Sequence, residues 1–260
     1  MNLVLSSIKF FFVLLSILLY FVLSIPFFPF LKLKSFKAMR AVNFLVSLLS
    51  NIILFILNIK VDGPKDFKLN KVKGRFIVSN HLSYLDILII SKFIPTSFVT
   101  SVEMKETPFL GQITQLAGCL FVERRNKSRI HEEVRELEEA LSNNINITVF
   151  PEATSTNGES VKPFKRPLFN AAIRQEKNIL NLVLNYQVLN DENLSVENRD
   201  LVFWYGEMSF IDHLFRLCLQ RKVLVSLSFL GEILTLKSSE LEQVKDESYL
   251  IIHENYNCIV

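Results

Sequence analysis

The chain has 260 residues, is 50% hydrophobic and carries a formal net charge of +3, which indicates a folded protein with more apolar sequence than one core needs. The small net charge, with acidic and basic residues interspersed, argues against nucleic acid as a partner. The cysteines Cys119, Cys218 and Cys258 are too few and too widely spaced for a disulfide framework or a zinc site.

Two apolar segments open the chain and predict attachment to a membrane. Phe10–Leu31 carries no charge and is long enough to cross the roughly 30 Å of bilayer hydrocarbon. Its length, and the two prolines among its phenylalanines, argue against a cleaved signal peptide.

The second segment, Ala41–Ile59, has a polar stripe that the first segment lacks. Its polar side chains recur at helical spacing: Asn43, Ser47, Ser50, Asn51 and Asn58. If both segments spanned the bilayer, the basic connector between them and the lysines from Lys60 onward would lie on opposite sides, which the positive-inside tendency disfavours. We therefore expect residues 1–60 to anchor the protein as one spanning plus one interfacial helix, or as a re-entrant hairpin in one leaflet.

From residue 61 onward, short apolar runs alternate with amphipathic ones, which is typical of an α/β fold. Runs rich in β-branched and aromatic residues predict these strands: Arg75–Ser79, Ser97–Val102, Cys119–Val122, Ile145–Phe150, Ile179–Tyr186, Leu201–Tyr205 and Lys222–Phe229. Helices are predicted at Ser128–Ser142 and within residues 238–260, and a surface loop at Asn190–Asp200. We expect residues 61–260 to form a single domain with a central mixed sheet flanked by helices.

The stretch "NHLSYLD", residues 80–86, lies where a predicted strand ends and a new apolar run begins. A helix that begins near Ser83 would place His81 just before its first turn and Asp86 within it. The carboxylate could then accept the imidazole N–H and leave the other ring nitrogen free as a base. A capping box, with Ser83 as N-cap and Asp86 three residues later, explains the same residues structurally, and the two interpretations are compatible.

Two later strands also end in polar residues. "GCLFVERR" ends with Arg124 and Arg125, whose guanidinium groups could hold a phosphate, although a solvated basic turn is the alternative. "ITVFPEATSTNG" ends with Pro151, Glu152 and small hydroxyl residues. Because α/β sheets assemble their sites at the carboxyl ends of strands, these three strand ends are expected to lie together.

In order and spacing, these blocks resemble the motifs of the glycerolipid acyltransferase family, which includes 1-acylglycerol-3-phosphate acyltransferases and other lysophospholipid acyltransferases. "NHLSYLD" resembles the family's His-x4-Asp motif, "GCLFVER" its Gly-x-x-Phe-Val/Ile-x-Arg motif, and "VFPEATS" its Phe-Pro-Glu-Gly-Thr motif. "ILNLVLNY", residues 179–186, resembles the fourth block. The similarity covers roughly residues 60–230, and the ordered set is far more specific than any single block.

The resemblance implies a catalytic pair, with His81 as general base and Asp86 as the acid that orients it. It also implies a substrate-binding set, in which Gly118 and Pro151 shape turns: Phe121, Arg124, Glu152, Gly118, Pro151 and Thr154. The implied reaction passes a fatty acyl group from acyl-CoA or acyl-carrier protein to the free hydroxyl of a lysophospholipid. The first expectation for that acceptor is 1-acylglycerol-3-phosphate, which would give phosphatidic acid. No metal and no cofactor besides the thioester co-substrate is expected.

Two departures from the family pattern bear on the acceptor. Ala153 stands where the family usually has Gly, and Pro167 stands where a Gly is common. Another lysophospholipid or a lyso-aminolipid therefore stays open as the acceptor. A lipase-like hydrolase and an inactive membrane-bound lipid-binding protein are the other hypotheses. The expected location is the cytoplasmic face of a membrane, with the lysolipid, the thioester donor and membrane lipids as partners. The other histidines, His131, His213 and His253, are interpreted as structural.

Overall fold

The computed structural model describes residues 3–63, 73–123 and 130–259. Its N-terminal part is a pair of long apolar helices. Helix α1 (Leu3–Ser24) continues through a 3-10 turn (Ile25–Phe27) into α2 (Phe28–Lys32), and α3 (Phe36–Ile56) runs back. Ser35 begins α3 as its N-cap, because its hydroxyl accepts a hydrogen bond from the Ala38 amide. Both Leu3–Lys32 and Phe36–Ile56 are long and apolar enough to cross a membrane.

A mixed sheet forms the centre of the rest of the molecule. Its strands are β1 (Ile59–Asp62), β2 (Phe76–Ser79), β3 (Ser97–Ser101), β4 (Leu120–Val122), β5 (Ile147–Val149), β6 (Ile179–Leu189), β7 (Glu192–Asn193) and β8 (Val223–Ile233). Within the described residues their order is β1-β8-β6-β2-β5-β3-β4, with β7 beside β6. Strands β2 to β6 run parallel, whereas β8 pairs antiparallel with β6. The predicted α/β fold with a mixed sheet is confirmed.

Helices cover the sheet and follow several of its strands. They are α4 (Leu85–Phe93), α5 (Val102–Glu106), α6 (Leu110–Leu116), α7 (Ile130–Ser142), α8 (Phe169–Arg174), α9 (Phe210–Cys218) and α10 (Leu241–Asn255). The middle strand β2 is buried on both faces, and the ring of Phe76 packs 5.8 Å from that of Phe169 in α8. The buried β2 therefore fixes the place where the chain leaves the sheet at His81.

One predicted strand is wrong and two short strands were not predicted. Residues 199–201 form a 3-10 turn and residues 202–205 are irregular, although Val202 and Phe203 are buried. Their apolar character reflects packing over the sheet, where the Trp204 amide donates to the Leu82 carbonyl at 3.0 Å. Strand β1 begins inside the second apolar segment, and β7 lies in the predicted loop at 190–200.

The polar stripe of α3 does not face the solvent as a whole. Asn43 and Ser50 are buried, and the Asn43 amide group lies 3.0 Å from the Ser97 hydroxyl in β3. The outer surface of α3 is instead apolar, with large exposed side chains: Phe44, Leu48, Ile52 and Phe55. The side of α3 that packs on the domain therefore carries both polar and apolar residues, and its exposed side is lined by large apolar side chains.

Candidate active site

The site begins where β2 ends. The buried side chain of Asn80 donates to the Leu184 carbonyl and accepts from the Leu184 amide, both at 2.9 Å. These two bonds imitate a step of strand pairing between β2 and β6 after the regular pairing stops. The backbone of His81 is therefore held against the neighbouring strand, directly above the sheet's carboxyl edge.

His81 and Asp86 form a hydrogen-bonded pair, with Nδ1 of the imidazole 2.8 Å from Oδ2 of the carboxylate. The amides of Leu82 and Ser83 donate to the same oxygen at 2.7 and 2.9 Å, and the Tyr186 hydroxyl donates to Oδ1 at 2.7 Å. Because an ionised carboxylate only accepts hydrogen bonds, Nδ1 carries the proton and Nε2 is the free basic nitrogen. The side-chain contact expected from the sequence is present.

The Asp86 carboxylate is completely buried in the first turn of α4. The predicted capping box with Ser83 as N-cap is wrong, because Tyr84 is the N-cap of α4 and the Ser83 hydroxyl has no hydrogen-bond partner among the described residues; only the bond from the Ser83 amide to Asp86 is present. The partial positive charge of the helix start favours an anion there. The imidazole of His81 also stacks on Phe150, with 4.0 Å between ring centroids and 8° between ring planes. Asp86 and Phe150 therefore fix the orientation of the ring, and 19% of the His81 side chain remains exposed.

Glu152 ties the loop after β5 to the backbone of His81. Its Oε1 accepts from the His81 amide and its Oε2 from the Lys162 amide, both at 2.8 Å. The Thr156 amide adds a bond to the His81 carbonyl at 3.0 Å. Glu152 is 4% exposed, and burial raises the pKa of its carboxyl to about 7, although the two backbone bonds act in the opposite direction. Its carboxylate therefore shapes the turn that carries His81.

Glu152 makes stability depend on pH. Its folded-state pKa of about 7 lies above the ordinary value of 4.5, so the folded protein holds this proton more tightly than the unfolded chain does. Stability from this group is fully present below pH 4.5 and is lost as pH rises to about 7, on the order of 3 kcal/mol in total. As pH rises from 4.5 to about 7, the free energy of unfolding of the wild type should fall relative to that of Glu152→Gln. If the free energies of unfolding of the wild type and Glu152→Gln changed in parallel with pH, the prediction would be contradicted. The control is Glu254→Gln, which replaces an exposed carboxylate in α10.

Ala153 adopts the left-handed backbone conformation, with φ of 63°. A Cβ is unfavourable there, so Ala153→Gly should stabilise the protein by about 1 kcal/mol. Denaturant unfolding measures the change, and Ala172→Gly in the buried helix α8 is the matched control, since the same replacement should destabilise a helix. Destabilisation by Ala153→Gly would show that the loop changes shape when the methyl group is removed.

The structure places the remaining predicted site residues in two groups. Pro151 and Thr154 share the loop of Glu152, where the Pro151 carbonyl accepts from the Lys165 amide at 2.8 Å. Phe121 lies in the edge strand β4, under the Lys105 ammonium at 5.3 Å. Gly118 has φ of 68° at the turn before β4, and a Cβ there would lie 3.1 Å from Val42 of α3.

The proposed phosphate ligand Arg124 lies outside the described residues. The same holds for Arg125, Ser128 and Arg129, and for the side chain of His131.

Sequence reasoning missed three neighbours of the pair: Asn80 as a clamp, Phe150 as the stacking partner and Tyr186 as a donor. Tyr186 left a signal in the sequence, since a hydroxyl-bearing residue ends the apolar run of residues 179–186. His213 is buried, with its Nδ1 3.1 Å from the Tyr84 hydroxyl, and burial lowers its pKa to about 4; its structural role stays a prediction.

Known proteins share both the sequence pattern and the fold. A family model described as Acyltransferase matches residues 58–184. The lyso-ornithine lipid O-acyltransferase of Brucella abortus is 30% identical over 198 residues, which are 73% of this chain and 72% of that protein. The chain belongs to the glycerolipid acyltransferase family. It is an O-acyltransferase, as the resemblance implied.

Further relatives support the same family. The 1-acyl-sn-glycerol-3-phosphate acyltransferase of Neisseria gonorrhoeae is 29% identical to this acyltransferase over 187 residues, 72% of this chain and 69% of that protein. The crystal structure of the 1-acyl-sn-glycerophosphate acyltransferase PlsC from Thermotoga maritima matches with a TM-score of 0.64 and 19% identity. The match covers 98% of this chain and 94% of that one, so the two proteins share the whole fold.

Proposed function

We propose that this acyltransferase transfers a fatty acyl group from a thioester to the free hydroxyl of 1-acylglycerol-3-phosphate, giving phosphatidic acid. The observation that supports acyl transfer is the contact of 2.8 Å between His81 Nδ1 and the buried carboxylate of Asp86, which leaves Nε2 as a base, and the acceptor is proposed from the name of the Neisseria gonorrhoeae relative. A general base of this kind contributes typically about 10²–10⁴-fold to a reaction rate. A protein that only bound lipid would gain nothing from it.

The reaction needs one proton transfer out and one back. His81 Nε2 takes the proton of the acceptor hydroxyl while the oxygen attacks the thioester carbonyl, and Asp86 stabilises the imidazolium that forms. The tetrahedral intermediate collapses with cleavage of the carbon–sulfur bond, and the imidazolium returns its proton to the leaving thiolate. The thioester of acyl-CoA and that of acyl-carrier protein are equivalent in this chemistry, so both are proposed as donors.

A lyso-ornithine lipid is the second candidate acceptor. The Brucella relative that is 30% identical is named for that substrate, and Ala153 and Pro167 lie on or near the loop that carries Glu152. The two acceptors differ chemically, because the first presents a phosphate and the second an amino acid. The acceptor that the enzyme prefers therefore indicates which head group is recognised by Arg124 and by the loop after β5.

The test is transfer of labelled acyl groups in membranes that contain the wild type or His81→Ala at equal protein levels. Acyl-CoA and acyl-carrier protein serve as donors, and 1-acylglycerol-3-phosphate, other lysophospholipids and lyso-ornithine lipid serve as acceptors. Preferred transfer to 1-acylglycerol-3-phosphate supports the proposal, and preferred transfer to lyso-ornithine lipid replaces it with the second candidate. Release of free fatty acid without any acceptor product would favour the hydrolase instead.

The two N-terminal helices are proposed to hold the enzyme in one leaflet at the cytoplasmic face. Helix α1 is fixed to the domain near both ends, by Lys9 Nζ donating to the Gln220 carbonyl at 2.9 Å and by the Tyr20 hydroxyl donating to the Ile113 carbonyl at 3.0 Å. Helix α3 is fixed by Asn43 at β3. Neither helix could cross a bilayer without drawing the polar parts of the domain into hydrocarbon, which is strongly unfavourable.

Phe55 and Phe44 are 86% and 65% exposed on α3, and we predict that they enter the membrane. Phe55→Asp and Phe44→Asp should each weaken binding to phospholipid vesicles about tenfold or more, because burial of one such side chain stabilises by roughly 1.5–3 kcal/mol. Vesicle co-sedimentation measures the change. Leu250→Asp, which adds the same charge at an exposed site of α10, should bind like the wild type. Equal loss in all three variants would contradict a specific membrane face on α3.

A further inference from the structure

Tyr186 brings a buried phenol to the catalytic pair from a different strand. Its hydroxyl donates to Oδ1 of Asp86 at 2.7 Å, and its ring packs edge-on against Phe203 with centroids 5.3 Å apart. The residue is 4% exposed. Burial raises the pKa of the phenol well above its usual value, and the neighbouring Asp86 carboxylate raises it further. The hydroxyl therefore remains a protonated donor at every pH at which the enzyme works.

The two oxygens of Asp86 have separate sets of partners. Oδ2 faces His81 Nδ1 and accepts from the amides of Leu82 and Ser83, whereas the Tyr186 phenol donates to Oδ1. A carboxylate held by donors at both oxygens cannot rotate about its Cβ–Cγ bond without losing several bonds in a buried site. The phenol therefore fixes the plane of the carboxylate that aligns the imidazole.

The placement of the phenol follows from the clamp between β2 and β6. Asn80 forms two bonds to the backbone of Leu184, two residues before Tyr186 on the same strand. Residues 184 and 186 project to the same side of the strand. The side chain of Asn80 thus sets the register of Tyr186 relative to the loop that carries His81.

We propose that Tyr186 is a positioning residue for acyl transfer, which holds Asp86 in the orientation that aligns His81 and disperses part of its negative charge. This inference rests on the proposed roles of His81 and Asp86. Without the hydroxyl, more negative charge faces the imidazole, so the imidazolium form becomes more favourable. The carboxylate also loses the donor that holds Oδ1, although Oδ2 keeps its three partners.

The test compares Tyr186→Phe with the wild type in the full-length enzyme. We expect kcat to fall about tenfold with little change in KM for the lysolipid, and the acid limb of kcat/KM to move to higher pH. The matched control is Tyr205→Phe, which removes a phenol that donates to Asp200 at 2.6 Å outside the site and should leave both quantities unchanged. Unchanged kcat and pH profile in a folded Tyr186→Phe enzyme would overturn the proposal.

A double-mutant cycle separates positioning from a general structural effect. If Tyr186 acts through Asp86, Tyr186→Phe should lower kcat little further once Asp86→Ala has removed the group that its hydroxyl contacts. A full additional tenfold loss in that background would show that Tyr186 acts independently of Asp86, and would overturn the proposal.

Four other titratable groups lie close to Asp86 and Tyr186 and contribute to the pH profile. His81 and Glu152 lie on the adjoining loops, Tyr84 lies at the start of α4, and Tyr256 follows α10. All four are present in both enzymes, so the shift between the two profiles reports the hydroxyl of Tyr186. A fluorinated tyrosine at position 186 keeps the ring and the hydroxyl but donates more strongly, so it should move the acid limb to lower pH. This variant tests the proposal even if Tyr186→Phe unfolds, and a shift to higher pH would overturn it.

Wild-type transfer is measured first in every preparation. A wild type that transfers no acyl group to any lysolipid would refute the proposed function, whereas an active wild type with an equally active Tyr186→Phe refutes only the role of Tyr186.

Discussion

Replacement of His81 by alanine is expected to lower kcat by about 10²–10⁴-fold, the usual contribution of a positioned general base. The loss should appear in kcat more than in KM, because proton transfer occurs in the transition state and not in substrate binding. Stability should fall by about 1 kcal/mol, because a mostly buried ring loses its stacking on Phe150 and the buried Asp86 carboxylate loses one of its four hydrogen-bond partners. Initial rates in detergent micelles and thermal unfolding of the same samples give the two quantities.

The control for this replacement is His253→Ala, which removes an exposed histidine from α10. It should retain wild-type activity. If His81→Ala keeps more than about a tenth of wild-type kcat, the remaining rate is too high for the loss of a general base, and another group must take the hydroxyl proton. Unfolded protein would leave no basis for comparison, so only samples with a cooperative unfolding transition count.

Local chemistry explains why the pair itself could be predicted from the sequence. His81 and Asp86 lie within one turn of each other at a strand-to-helix junction, and short-range geometry alone brings the carboxylate to the ring. The positions of Pro151 and Glu152 at the end of β5 follow from the same reasoning, because β2 and β5 are parallel neighbours. These predictions needed only the order of elements and the rule for carboxyl ends of strands.

Contacts that are distant in sequence could not be predicted. Tyr186 reaches Asp86 across 100 residues, and Glu152 reaches the His81 amide across 71. The substrate-binding role of Glu152 stays a prediction, and the structure adds that both of its carboxylate oxygens accept hydrogen bonds from backbone amides. A motif shows that a side chain is near the site, but the partner of each oxygen depends on how the strands align.

The outward face of α3 shows why a polar stripe was ambiguous. Helical spacing identified the polar residues but not their surroundings, since Asn43 and Ser50 are buried whereas Asn51 is exposed. In the structure Asn43 has a partner in Ser97, so a polar group can be buried at this contact, whereas Phe55 has none of the domain around it and is 86% exposed. Helical spacing alone therefore does not tell which side of an amphipathic helix contacts the rest of the protein.

Replacement of Asp86 is expected to cause the second large loss of kcat, and its charge and its hydrogen bonds can be removed separately. In Asp86→Asn, the amides of Leu82 and Ser83 require an acceptor at the former Oδ2 position, so the carboxamide oxygen should occupy it. The amide nitrogen then faces the Tyr186 hydroxyl, which can accept instead of donate. The imidazole keeps its partner and its tautomer but loses the negative charge that stabilises imidazolium. We expect kcat to fall about 10²-fold from the lost charge, with a small change in stability.

Asp86→Ala should be worse in both respects. It leaves the Leu82 and Ser83 amides and the Tyr186 hydroxyl without their acceptor in a fully buried site, which costs about 1–3 kcal/mol for each such group. The imidazole also loses the acceptor that fixes its tautomer, so kcat should fall further, towards the roughly 10⁴-fold loss seen when a catalytic histidine holds its proton on the wrong nitrogen. Rates and denaturant unfolding of both variants separate the two roles. If asparagine and alanine lower kcat equally, the charge of Asp86 is what matters for catalysis, and the hydrogen-bond network serves only the fold.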